Sequence, residues 1–183
     1  MPAETRAIAG VDDSKRLTHD QRVRLSGIIR QRAVAFAIGA ASVHEIDRIN
    51  IYQASALAMQ RALGRLSVTP DHVVIDGRVM RTLPVPHTAV VRGDVRCFSI
   101  ACASILAKVH RDHMISQWDP VFPAYGLRSN KGYSTPKHLV ALREHGPSPL
   151  HRQSFAPVWN APVPQTVLQF MLQDSGSSTE QTA

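Results

Sequence analysis

The chain has 183 residues, 44% of them apolar and 19% charged, enough for one domain with a sizeable core and room for a tail. Its net charge of +7 favours polyanionic partners, nucleic acid or an anionic membrane, over acidic proteins. No apolar run approaches the roughly 18 residues of a membrane span, and the first residues lack the basic-then-apolar order of a signal peptide, so a cytoplasmic protein is expected.

Thr18 and Gln21 have capping-box spacing, and Val23, Leu25, Ile28 and Ile29 supply an apolar face, which predicts a helix from about Thr18 to Gln31. In "AVAFAIGAAS", Val34, Phe36 and Ile38 alternate as in a strand that ends at Gly39. Ser42 and Glu45 repeat the capping signal, opening a short helical turn to Asn50 and then a helix from Ile51 to Leu66. "HVVID" reads as a short buried strand closed by Gly77, and a proline-rich connection leads to a second strand, "AVV", before "RGD". The longest helix is expected from Phe98 to about Trp118. Its first half is apolar and rich in small residues, as a sheet-packing face requires.

Beyond Asp119 a loop rich in Pro, Gly and basic residues precedes a helix capped by Thr135, with Pro136 at its first position and Gly146 as its stop. "PSPLHRQSFAPV" reads as a docked extended segment, and the residues from about Ser175 lack core formers and are expected to be disordered. Cys97 and Cys102 lie five apart in the long helix, which points them in different directions and predicts buried free thiols. The histidines form no short metal-ligand spacing with the cysteines, and no Gly-x-Ser-x-Gly elbow accompanies them, so neither a zinc site nor a hydrolase triad is supported.

Two carboxylates stand out by position. Asp76 and Asp94 each close a short strand and each has a glycine beside it. Strand ends are where rigid backbone presents side chains to ligands, so the pair could share a divalent cation; Asp-Gly turn chemistry explains the same pattern. "RSNKGYST" places Arg128 and Lys131 around Tyr133, a ring that can stack on a sugar or base, or else fold onto the core. In "DDSKRLT", Lys15 and Arg16 precede a helix start able to receive a phosphate, or simply form a solvated loop.

Taken together, "DDSKRLT", "AIGAASVHEIDRINIYQASALAMQRAL", "VVIDG", "VVRGD", "SIACASILAKVHRDHM" and "YGLRSNKGYSTPKHLVALREHGPSPLHRQSFAPV" resemble, in order and spacing, the bacterial ribonuclease HII family over residues 8–158. The resemblance implies an α/β ribonuclease H-like fold, a mixed sheet flanked by helices with a C-terminal helical segment, in a domain over 1–158 followed by a tail over 159–183. It implies a monomeric endonuclease that cuts RNA in RNA–DNA hybrids and at ribonucleotides embedded in duplex DNA, with Mg²⁺ or Mn²⁺ as cofactor. The family's catalytic, metal-holding carboxylates map onto Asp76 and Asp94. Tyr133 maps onto the tyrosine that packs near the ribonucleotide sugar. Ser14 and Lys15 of "DSK", with Lys131 of "KGY", are implied to meet nucleic acid.

Family members begin with a strand bearing an Asp-Glu pair, then a Gly-Arg-Gly turn and a second apolar strand, all before the "DSK" loop. None of these stands in this sequence, and Asp12 and Asp13 belong to the "DSK" loop itself. A chain without those two central strands is expected to leave the "AVAFAI" strand without a neighbour. Its metal site is expected to have two carboxylates instead of four, with cleavage weak or absent. A start set at an internal methionine and a short, non-catalytic chain that keeps nucleic-acid binding both account for this pattern.

Overall fold

The structure is a computed structural model and describes residues 7–159. The chain forms two compact units, the first up to Met114 and the second from Ile115.

In the first unit, helix α1 (His19–Arg32) begins where the sequence places it. Thr18 Oγ1 accepts the Gln21 N–H, and the Gln21 side chain accepts the Thr18 N–H. Each bond satisfies an amide that a helix start otherwise leaves open. Helix α2 (Val43–Leu63) carries the same box through Ser42 and Glu45. It is interrupted at Asn50 (φ 65°), whose side-chain oxygen caps the N–H groups of Tyr52 and Gln53, so the expected boundary at Asn50 is present as a kink. The helix stops at Leu63, short of the expected Leu66.

Between α1 and α2 the structure departs from expectation. Residues 33–42 run extended but join no ladder among the described residues, so "AVAFAI" is not a strand here. Side chains at and just past the end of α2 meet the segment's carbonyls instead: Arg65 donates to the Ile38 carbonyl at 3.1 Å and Arg61 to the Ala40 carbonyl at 2.8 Å. A Cβ at Gly39 would run into the Ala58 carbonyl, so glycine is what lets this segment lie on the helix. Arg61 also grips Glu45 at 2.6 Å, which lowers the Glu45 pKa to about 2.

Strands β1 (Val73–Asp76) and β2 (His87–Val90) pair in parallel with Asp76 opposite Val90, and the Gly77 N–H extends the ladder to the Val90 carbonyl. The described sheet is this one parallel pair, where the family resemblance implies a larger mixed sheet. Parallel strands require a crossover. Here it is a ten-residue irregular connection pinned by His87, whose Nε2 accepts the Met80 N–H and whose Nδ1 donates to the Val85 carbonyl. Val73, Ile75 and Ala89 pack on one face against Ala56, Met59 and Leu63 of α2, together with Met80 and Leu83. Strand alternation therefore sends Asp76 to the opposite face.

Helix α3 (Gly93–Arg96) is a single turn, and α4 (Phe98–Gln117) is the expected long helix. Phe98, Cys102, Ile105, Leu106 and Val109 form its apolar stripe, packed with Ile8, Leu25 and Ile29. Cys102 is buried there, and burial pushes its thiol pKa up. Cys97 sits one residue before α4 and is only half-buried, which corrects the expectation of two buried thiols within one helix.

In the second unit, the stretch expected to be a loop contains a 3₁₀ turn (Pro123–Tyr125) and a short helix α5 (Leu127–Asn130). Helix α6 (Pro136–His145) has Thr135 as cap, Pro136 at its start and Gly146 at its end, as expected. The segment after it is turned rather than extended, and a further short helix α7 (Ala156–Trp159) follows. Its core gathers Tyr125, Leu127, Ala141, Leu142 and Val158. The tail expected over 159–183 lies, apart from Trp159, outside the described residues.

Candidate active site

Asp76 ends β1, and the chain returns through β2 to Asp94 in the first turn of α3. Two backbone features bring the residue before Asp94 against Asp76. Arg92 takes the left-handed conformation (φ 58°, ψ 43°), turning the chain sharply off the strand, a conformation that costs a non-glycine residue about 1–2 kcal/mol. Gly93 then lies against Asp76: its N–H donates to Asp76 Oδ1 at 2.6 Å, and a Cβ on it would stand 2.6 Å from Ile100 Cδ1 and 3.2 Å from that same carboxylate oxygen. Only glycine allows this approach, and it sets Asp94 one residue away from the atom that touches Asp76.

Lys15 reaches the same place from the loop before α1. Its ammonium lies 3.6 Å from Asp94 Oδ2, with the lysine side chain 80% exposed and that of Asp94 12% exposed. An ion pair with one solvated partner contributes up to about 1 kcal/mol, so the lysine can be released to another anion at small cost. Ser14 is buried, and its hydroxyl hydrogen-bonds Ser104 in α4 at 2.8 Å. A cavity of about 220 Å³ opens beside Asp94, lined among others by Asp12, Val95, Cys97 and Phe98. Asp12 itself is spent on the loop, accepting the Asp13 N–H and facing Arg16 at 3.2 Å.

The two remaining sequence candidates belong to the second unit. Lys131 and Gly132 are both left-handed (φ 52° and 74°), and the turn they make presents Tyr133 with 51% of its surface exposed. Asn130 holds that turn, donating to the Tyr125 carbonyl at 2.6 Å and accepting the Gly132 N–H at 2.8 Å. The Lys131 ammonium is folded back on the Ser116 hydroxyl and the Arg128 carbonyl, both at 2.5 Å, where it braces the turn.

The comparisons with known proteins fall on this same stretch of chain. The family model described as Ribonuclease HII matches residues 3–158. The chain belongs to the ribonuclease HII family. It is thereby, by family, a hydrolase of the endonuclease class, on an α/β fold with a small parallel sheet flanked by helices. It is 53% identical over 171 residues to Ribonuclease HII of Koribacter versatilis (strain Ellin345), covering 93% of this chain and 67% of that protein. It is 53% identical over 156 residues to Ribonuclease HII of Solibacter usitatus (strain Ellin6076), covering 85% of this chain and 68% of that one. The crystal structure of the ribonuclease H2 from Pyrococcus horikoshii OT3 superposes with a TM-score of 0.69 over 83% of this chain and 80% of that one; at 22% identity the likeness concerns the fold.

Within the ribonuclease HII frame, the sequence pointed to Asp76, Asp94 and Lys15; in the structure Asp76 is held by the amide of Gly93, the residue before Asp94, and Lys15 faces Asp94. Gly93 went unnoticed, although a glycine wedged between a strand end and a candidate aspartate is the available signal for a close backbone approach. Also unnoticed was Asp112, 3% exposed in α4 and paired with Lys108 at 2.7 Å; the spacing of four in "KVHRD" is its sequence trace.

Proposed function

We propose that this ribonuclease HII family member is an endonuclease that hydrolyses the phosphodiester at ribonucleotides in RNA–DNA hybrids and in duplex DNA, with Mg²⁺ or Mn²⁺ at Asp76 and Asp94. One observation supports the reading: the Gly93 amide holds the Asp76 carboxylate at the end of β1, and the next residue, Asp94, faces a solvated lysine. Hard divalent cations take oxygen ligands and commonly use one or two carboxylates plus substrate phosphate, so the donor set fits such an ion. When bound, the cation supplies positive charge to the scissile phosphate and to the oxygens that attack and leave it. Asp76, held by the Gly93 amide, and Asp94 anchor the ion. Lys15 meets a neighbouring phosphate, with Ser14 fixing its loop. Tyr133 lies against the ribose, where the 2′-OH separates RNA from DNA, and Lys131 secures the turn that carries it. The +7 charge adds sequence-independent affinity that weakens with salt. In this reading residues 1–158 carry the activity, and the protein works as a monomer in the cytoplasm.

Among the described residues no three His, Cys, Asp or Glu side chains converge as a metal site, and the proposed donor set is Asp76 with Asp94. Two cations about 3.5–4 Å apart need more anionic ligands than this pair supplies. We therefore expect slow cleavage by the 183-residue chain, and the same donor count favours, as the second reading, a protein that binds nucleic acid without cutting it.

The test is a nicking assay on a duplex containing one ribonucleotide. The expected result is slow nicking with Mg²⁺ or Mn²⁺, lost on chelation, absent on the all-DNA duplex, and reduced about 100-fold or more by Asp76→Asn or Asp94→Asn without change in melting temperature. Cutting that ignores the ribonucleotide or the metal overturns the reading, and fast nicking overturns the expected slowness. Tight duplex binding with no cleavage selects the second reading.

A further inference from the structure

Arg22 is in the second turn of α1, a place where an arginine ordinarily reaches into water, yet its side chain is only 13% exposed. One terminal nitrogen, Nη1, donates to two carbonyls of the preceding loop, Leu17 at 2.5 Å and Ser14 at 2.9 Å. The other, Nη2, lies 3.9 Å from Asp112 Oδ2, and Asp112 also faces Lys108 at 2.7 Å and Arg111 at 3.7 Å. The Nε of Arg22 is buried without a hydrogen-bond partner.

That arrangement is informative because arginine and carboxylate pair best as two parallel bonds, fork to fork. Here the fork is turned away from that geometry. The loop carbonyls take the short contacts, the carboxylate takes a long one, and Nε is left over. Asp112 faces Lys108 more closely than Arg22, and the short bonds of the guanidinium go to the loop, with the carboxylate as electrostatic backing. The loop is the one that matters to the site: Ser14 ties it to Ser104, and Lys15, between the two carbonyls that Arg22 holds, reaches Asp94.

We propose that Arg22, backed by Asp112, is a positioning residue that sets the Ser14–Leu17 turn and thereby the point from which Lys15 meets Asp94 and the substrate phosphate. The part that concerns substrate rests on the nuclease reading above. Nη1 meets both loop carbonyls while Nη2 faces Asp112; a lysine has one nitrogen and cannot serve both sides at once, so charge alone does not replace the guanidinium.

A double-mutant cycle on the full chain tests this, with binding to a duplex containing one ribonucleotide read by fluorescence anisotropy at several salt concentrations. Lys15→Ala is expected to weaken binding about five-fold and lower the salt slope by about one. Arg22→Met is expected to do nearly the same, to add less than about two-fold in the Lys15→Ala background, and not to be rescued by Arg22→Lys. Additive losses, or full rescue by lysine, overturn the proposal. Hydrogen exchange at the Arg16 amide, bonded to the Asp13 carbonyl at 2.9 Å, reports the turn without substrate. It is expected to speed up in Arg22→Met and in the shape-preserving Asp112→Asn while the Ile75 amide stays slow; an unchanged Arg16 amide overturns the proposal. Should the wild type fail to bind the duplex, the nuclease reading falls, and the exchange measurement alone then decides the role of Arg22.

Discussion

The two units of this chain use polar side chains in opposite ways. Around Asp76 and Asp94 the polar atoms hold each other by one contact apiece, a backbone amide on one carboxylate and a solvated lysine near the other, so capacity for a ligand remains. Around Tyr125 in the second unit the polar atoms are used up internally. The Tyr125 hydroxyl donates to the Gly146 carbonyl at 2.8 Å, its own carbonyl accepts from Asn130, and His138, 3% exposed, faces both Tyr125 and His151. An under-satisfied site can exchange partners with a substrate, whereas a fully satisfied one fixes a shape. Substitutions in the first region should therefore act on chemistry before stability, and substitutions in the second on stability before chemistry.

Gly93→Ala should blur that division most. The added methyl has to displace Ile100 or the Asp76 carboxylate, so overpacking of about 1–3 kcal/mol accompanies a shift of the pair. Cleavage should fall at least about ten-fold together with the melting temperature, whereas Asp76→Asn lowers cleavage alone; normal activity in Gly93→Ala would refute the wedge. Tyr125→Phe should give the complementary result. It strands a buried carbonyl at Gly146 at a cost of about 1–3 kcal/mol, seen in denaturant midpoint, with little change in the rate of whatever protein remains folded. A rate loss without a stability loss would show that the second unit's core takes part in chemistry directly.

The parts legible in the sequence were those set by local chemistry. The capping boxes at Thr18 and Ser42, the Thr135-Pro136 start and the apolar strand end at Asp76 depend on neighbours within a few residues and appear where expected, whereas Asp94, read as closing a strand, lies four residues past Val90 in the first turn of α3. "AVAFAI" failed because alternation announces a strand only if an edge is available to pair with; here Arg65, more than twenty residues on, bonds its last carbonyl, at Ile38, and Arg61 the Ala40 carbonyl just beyond. "PAYGLRSN" was read as loop because Gly and Pro punctuate turns. What makes it two helical turns is the Asn130 side chain reaching back to the Tyr125 carbonyl, a bond no pattern displays. The site followed the same rule: Asp76 was visible as a strand end, whereas the turn that carries Asp94, the Gly93 wedge and the Arg22 fork are tertiary features.

The histidine pair sharpens the contrast by pH. A carbonyl only accepts, so His138 Nδ1, 3.3 Å from the Tyr125 carbonyl, carries its proton and leaves Nε2 as an acceptor. His151 Nδ1 accepts the Ser148 N–H, so its proton is on Nε2, aimed at His138 Nε2 3.1 Å away. A proton added to His151 at Nδ1 would set its N–H against the Ser148 N–H. Burial, and then the neighbouring His138, push the His151 pKa below its ordinary 6.5. The unfolded chain thus binds a proton near 6.5 that the folded chain refuses until lower pH. Stability from neutral His151 is complete above about 6.5 and is lost as the pH falls toward the folded value. Thermal melts from pH 7.5 down to 5 should show a fall in Tm smaller than that of Tyr125→Phe and diminished in His151→Gln. A fall that persists undiminished in His151→Gln would move the proton sensitivity to another group and leave the buried pair with packing alone.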